Sequence, residues 1–175
     1  MTVLVALLRG VNVGGRTMIP MPSLKASLED LGHEDVVTYI QSGNVVFESR
    51  VKDPAREIEE RIAEDFGVSV TVVLRTPAEL KTIVKTNPFP KVTEGKKLAV
   101  VFLRDKPTKA AVDALDPDRS PPDELVVKGR EVYVHYPNGQ AKTKVTNDWL
   151  ERTLGVRGTA RNWNTVLKLV ELTEK

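Results

Sequence analysis

The chain contains two short runs, Thr2–Leu8 and Leu98–Leu103, in which both alternating positions are apolar. Successive side chains of a β-strand point to opposite faces, so such a run predicts a central strand that is covered on both sides. A series of predicted elements follows each run. The first series is β-α-β-β-α-β, the order of a ferredoxin-like plait with two helices on one face of a four-stranded antiparallel sheet.

The second series reads β-α-β-β-α and continues with a short extended piece near Thr159 and an extra helix. A polar segment, Lys91–Lys97, separates the two series. We therefore predict an α+β fold of two ferredoxin-like (α/β plait) halves. The first spans residues 1–88 and includes a connecting helix, and the second spans residues 96–175 and includes the extra C-terminal helix.

Helix boundaries are marked at several points of the chain. Asp53 is a predicted N-cap with Pro54 at the first helical position, and Gly67 is placed to end that helix. Thr76 and Glu79 have the spacing of a capping box, which predicts the start of the connecting helix.

The composition excludes some classes of function. The chain has no cysteine, which excludes disulfides, thiolate catalysis and cysteine-ligated metals. The two histidines, His33 and His135, belong to no metal-ligand pattern, so no metal or cofactor is expected. The apolar run at Met1–Leu8 has no basic region before it and is shorter than a membrane span, which predicts a cytoplasmic protein. Enzymatic activity and oligomeric state stay open.

A glycine-rich, cationic segment, Arg9–Thr17, follows the first predicted strand. Glycine lets a ligand approach the backbone closely, and a turn rich in free N–H groups can hold an anion. The segment resembles a P-loop, but Pro20 and Pro22 would fall in the first turns of the helix that a P-loop requires. A looser anion cradle remains, with the glycines as simple turn formers as the alternative. The candidate residues of this segment are Arg9, Gly10, Asn12, Gly14, Gly15 and Arg16.

Two further segments supply candidate polar contacts. Gln41, Ser42 and Asn44 either form a plain hairpin turn or direct polar groups toward a ligand held by the glycine-rich segment. Near the C-terminus, Arg161 and Asn164 suit a carboxylate or a phosphate, belonging either to a ligand or to the protein itself. We expect the segment of Arg161 and Asn164 to contact the glycine-rich segment across the two halves.

Three motifs carry a resemblance to a known family. These are Leu8–Gly15 (LRGVNVGG), Tyr39–Phe47 (YIQSGNVVF) and Thr159–Thr165 (TARNWNT). In this order they resemble a family of bacterial domains of unknown function, nearly end to end. The resemblance implies a pair of ferredoxin-like domains in a small cytosolic protein and implies no activity. The position of Arg16 is often lysine in such proteins, which keeps the charge but not the geometry.

These observations favour the binding of a small anionic, phosphate-bearing ligand. One alternative is single-stranded nucleic acid bound on an open plait sheet, for which Tyr133 and His135 are the best aromatic candidates. Central strands that are apolar on both faces argue against that alternative. A protein-interaction module without a ligand is the third hypothesis.

Overall fold

The computed structural model describes residues 1–10, 19–40 and 43–174. The chain divides into two compact units, one formed by Met1–Leu80 with Leu169–Lys175 and the other by Lys81–Lys168. The division falls inside two helices, α3 (Pro77–Lys85) and α6 (Trp163–Thr173). The predicted domain boundaries, 1–88 and 96–175, stay a prediction.

Unit 1 contains a four-stranded antiparallel sheet with two helices. The strands are β1 (Thr2–Arg9), β2 (Glu34–Tyr39), β3 (Asn44–Ser49) and β4 (Thr71–Arg75), and the helices are α1 (Met21–Asp30) and α2 (Ala55–Phe66). The strand order is β2-β3-β1-β4, so β1 lies in the interior of the sheet as its apolar pattern predicts.

Unit 2 repeats this topology. Its strands are β5 (Leu98–Leu103), β6 (Glu124–Lys128), β7 (Glu131–His135) and β8 (Gly158–Asn162), and its helices are α4 (Lys109–Asp113) and α5 (Asn147–Leu154), with a 3-10 turn at Gly95–Lys97. The strand order is β6-β7-β5-β8, and all pairs are antiparallel. The predicted α+β fold of two plait-like halves with a C-terminal helix is thereby confirmed.

The two faces of each sheet are both buried at the central strands. In unit 1, Leu4, Ala6 and Leu8 pack in a core with residues of α1 and α2, while the alternate residues Val5 and Leu7 have no exposed surface. In unit 2, Val100 and Phe102 are likewise fully buried on the face opposite the α4 and α5 core. The sheets therefore present no open central face, which agrees with the apolar pattern of both strands.

Most predicted helix ends are observed, with one correction. Thr76 and Glu79 form the reciprocal capping box, with N···O distances of 2.9 and 3.1 Å. The helix predicted to begin at Pro54 begins one residue later, at Ala55, and Pro54 is itself the N-cap residue. Asp53 still stabilises the start of α2, because its Oδ1 accepts the N–H of Ala55 at 3.3 Å.

The extended piece predicted near Thr159 is a complete fourth strand, β8, which pairs with β5 over five residue pairs. The sequence signal was weak because this segment lacks an alternating apolar pattern. Within the described part of the chain, none of the helices has the length and apolar character needed to span a bilayer.

Candidate functional site

The described part of the glycine-rich segment lies where β1 ends. Arg9 is the last residue of β1 and is paired with Thr71, the first residue of β4. Gly10 follows with φ +85°, a backbone conformation that L side chains rarely adopt. Gly10 is exposed, and a Cβ added there would meet no atom of the described residues within 4 Å. The backbone at the end of β1 is therefore open to solvent.

The second motif reaches the same end of the sheet. Gly43 has φ +89°, and its carbonyl accepts the N–H of Leu8 at 2.9 Å. Asn44, the first residue of β3, is paired with Leu7 of β1. Two motifs that are about thirty residues apart thus lie side by side, as expected for neighbouring antiparallel strands.

Asn44 has a structural role in this arrangement. Its side chain is fully buried, and Nδ2 donates to the backbone carbonyl of Tyr39 at 2.9 Å. Gly43 also donates its N–H to the carbonyl of Ile40 at 3.4 Å, and Ile40 has φ +48°. These bonds close the hairpin between β2 and β3, so the turn-forming interpretation of this segment accounts for the Nδ2 group of Asn44.

Part of the candidate site lies outside the described residues. Six members lie there, and their proposed contacts stay predictions: Asn12, Gly14, Gly15, Arg16, Gln41 and Ser42. The predicted meeting of Arg161 with the glycine-rich segment also stays a prediction.

Arg161 lies in β8, opposite Val100 of β5, and is 7% exposed. Its Nη1 donates to Oγ1 of Thr159 at 2.7 Å and to the carbonyl of Ala160 at 2.8 Å. Burial lowers the pKa of Arg161 to about 10, so the guanidinium keeps its charge at neutral pH. The protein's own oxygens thus take up at least part of this side chain's donor capacity.

Unit 1 has an arginine at the equivalent place, which the sequence patterns did not reveal. Arg75 lies in β4, opposite Val5 of β1, and is 1% exposed. Its Nη1 donates to the carbonyl of the preceding residue, Leu74, at 2.8 Å. A charged residue inside the apolar run that precedes Thr76 was the available signal. Each buried arginine directly precedes the residue that caps the next helix.

Asn164 lies in the first turn of α6 and is exposed. Its side-chain amide is so close to the backbone of Gly95 that a Cβ at residue 95 would overlap it. The N-cap of this helix is Asn162, whose Oδ1 accepts the N–H of Thr165 at 3.0 Å. Asn164 therefore contacts protein on at least one side.

Both aromatic candidates for nucleic-acid binding contact other groups of unit 2. Tyr133 is 1% exposed, and its hydroxyl donates to the carbonyl of Ile83 at 2.8 Å. The ring of His135 lies 5.6 Å from that of Phe89. Base stacking needs an accessible ring face, which Tyr133 lacks in this structure.

The second histidine is also engaged within the fold. His33 is buried, its Nε2 lies 2.9 Å from Oε1 of Glu57, and its ring is 4.9 Å from that of Phe47. Across residues 1–10, 19–40 and 43–174, no three His, Cys, Asp or Glu side chains are grouped so as to hold a metal ion.

The chain belongs to a family of proteins of unknown function, DUF1697, whose model matches residues 1–133. This confirms the predicted membership of a family of unknown function; the third motif, Thr159–Thr165, lies outside the matched residues. A similar solved structure is the conserved bacterial protein SP0830 from Streptococcus pneumoniae, with 21% identity over 98% of each chain and a TM-score of 0.73. At that identity the likeness concerns the fold alone. No curated protein matches the chain.

Proposed function

We propose that the protein binds a small anionic, phosphate-bearing ligand at the edge of the unit 1 sheet where β1 ends and β3 begins. The observation that carries this proposal is the juxtaposition of the first two motifs. The N–H of Leu8 and the carbonyl of Gly43 are 2.9 Å apart, so the residues that follow Leu8 and those that precede Asn44 leave the sheet next to each other.

The chemistry of these residues suits an anion. Gly10 is exposed, and none of the described residues occupies the space where a side chain would stand. Arg9 is only half-buried at the same place, and Arg16 adds a second cation in the sequence. Backbone N–H groups in a turn and a planar guanidinium are both good partners for phosphate oxygens.

The remaining candidates contribute to the proposal in different degrees. Gln41 and Ser42 precede the paired residue Gly43, so their polar groups are the natural supplement to the glycine-rich segment. The sequence predicts Arg161 and Asn164 as further ligand contacts, but both side chains already contact groups of unit 2, so we expect Arg161 to add little to the affinity. Arg9 and Arg16 are therefore the residues at which the proposal is tested.

The test is a thermal-shift and calorimetric screen with phosphate, pyrophosphate, nucleotides and phosphorylated sugars. A ligand that binds only the native state at 100 times its Kd adds about 2.7 kcal/mol of apparent stability. We expect the Arg9→Ala and Arg16→Ala variants to lose the shift. Arg56→Ala is the matched control, because Arg56 is an exposed cation on α2 whose Nε lies 3.2 Å from Glu60.

Two results would reject the proposal. One is the absence of a shift with every phosphate-bearing compound, and the other is an equal shift in the Arg9→Ala, Arg16→Ala and Arg56→Ala proteins. A cytoplasmic location and a bacterial origin, both expected from the sequence, form part of this proposal.

A further inference from the structure

Unit 1 contains a second candidate binding site on the sheet face opposite α1 and α2. A cavity of about 310 Å³ is lined by Val3, Val37 and Val46 of the sheet and by Leu172 and Thr173 near the end of α6. We call it the β2–β3 pocket. Its volume lies at the lower end of the range for small-molecule sites. Val37 is 45% exposed, so the apolar wall is partly open to solvent.

Two carboxyl groups, Asp35 of β2 and Glu48 of β3, also line the β2–β3 pocket. Glu34 is the direct cross-strand partner of Glu48, so three carboxyl groups lie close together at this edge of the sheet. Interaction with Asp35 raises the pKa of Glu48, and partial burial and the charges of Asp35 and Glu34 act in the same direction.

The backbone holds these groups together. Asp35 has φ +50°, which is uncommon for a residue other than glycine, and the β2–β3 register shifts between Glu34 and Val37. Like charges directly across a pair of strands are unfavourable. The opposing cations are the Met1 ammonium, which lowers the pKa of Glu48, and Arg50, whose Nη2 lies 3.9 Å from Glu34.

We propose that the β2–β3 pocket binds a small organic cation, a primary amine carried on a short alkyl or aryl group. The ammonium group lies between Asp35 and Glu48 and donates hydrogen bonds to both carboxylates. The apolar body covers Val3, Val37, Val46 and Leu172. This ligand matches both the charge and the apolar walls of the pocket, and the site is independent of the proposed anion site.

The test is isothermal titration calorimetry with hexylamine and phenylethylamine, with hexanol and methylamine as partial analogues. We expect saturable binding of the two larger amines only. Glu48→Gln should weaken binding about tenfold or more, as expected when one charge of a close pair is removed. Glu29→Gln, an exposed carboxylate on α1, should leave it unchanged.

Leu172→Ala separates the apolar contribution from the charge. It should weaken the binding of hexylamine without creating affinity for hexanol. The proposal is overturned by equal binding of hexanol, by no saturation with either amine, or by Glu48→Gln and Glu29→Gln behaving alike. Saturable binding of Mg²⁺ or Ca²⁺ in place of amines also overturns it. So does self-association that Leu172→Ala abolishes, since a second copy would then occupy the pocket.

Discussion

Tyr136 should make unit 2 sensitive to alkaline pH. The side chain is 5% exposed, and its hydroxyl donates to the carbonyl of Val145 at 3.3 Å. Burial, and secondarily the charge of Asp123, raises the pKa of Tyr136 from 10.0 to about 12. Each pKa unit corresponds to about 1.36 kcal/mol, so the neutral phenol contributes roughly 2.7 kcal/mol of pH-dependent stability.

The sign follows from the direction of the pKa shift. Because the pKa is higher in the folded state, the contribution is complete below pH 10 and is lost as the pH rises from about 10 to about 12. Tyr136→Phe removes the hydroxyl, which below pH 10 should cost about 1 kcal/mol for the lost hydrogen bond. Phenylalanine at residue 136 cannot ionise, so the stability of the variant relative to wild type should rise with pH. Near pH 11 the variant should become the more stable of the two proteins.

The assay is urea unfolding followed by tryptophan fluorescence at pH 8, 9, 10, 11 and 12. Both tryptophans, Trp149 and Trp163, belong to unit 2 and report its unfolding. The pKa of Arg161 is lowered to about 10, so its deprotonation in the folded state should raise the free energy of unfolding over the same pH range. This contribution is the same in wild type and in Tyr136→Phe, so it cancels in the difference between their stabilities. A stability difference that stays constant from pH 8 to pH 12 would refute the reasoning.

Two stability predictions concern other buried groups of unit 2. Tyr133→Phe removes the 2.8 Å hydrogen bond to the carbonyl of Ile83 and should cost about 1 to 2 kcal/mol, measured as a lower urea midpoint; an unchanged midpoint would contradict it. Gly158→Ala places a Cβ 2.9 Å from the carbonyl oxygen of Phe102 and should lower the free energy of unfolding by about 1 to 3 kcal/mol. Gly95→Ala meets only a flexible side-chain amide, so its loss should be less than about 1 kcal/mol. Equal unfolding midpoints for the two variants would show that the close approach at residue 158 is relieved elsewhere.

The sequence predicted those parts of the fold that local pattern controls. The runs at β1 and β5 are apolar at every alternating position, which places them inside their sheets whatever their partners are. The ends of α3 and α5 are set by residues that bond to their own helix, such as Thr146, whose Oγ1 accepts the N–H of Trp149 at 3.2 Å.

The parts that the sequence left incomplete depend on tertiary partners. The segment of β8 has little apolar pattern, and it becomes a strand because β5 offers an unpaired edge along its whole length. Asn44 shows the same limit for the candidate site. Its residue type predicts a polar contact, but only the structure shows that Nδ2 bonds to Tyr39 within the hairpin. A single sequence gives the chemistry of a side chain and not the direction in which it points.

A comparison of the two buried arginines, Arg75 and Arg161, tests whether Arg161 contacts the ligand at the anion site. Arg75 and Arg161 occupy equivalent positions, opposite the central strands of their sheets, and each donates to the carbonyl of the residue before it. A role that both units repeat is best explained by the fold, since only one unit carries the glycine-rich segment. We therefore expect Arg75→Met and Arg161→Met to lower the free energy of unfolding by similar amounts, roughly 1 to 3 kcal/mol each. Neither should change the apparent Kd for a phosphate ligand. A selective loss of ligand affinity in Arg161→Met, with Arg75→Met unaffected, would instead assign Arg161 to the ligand.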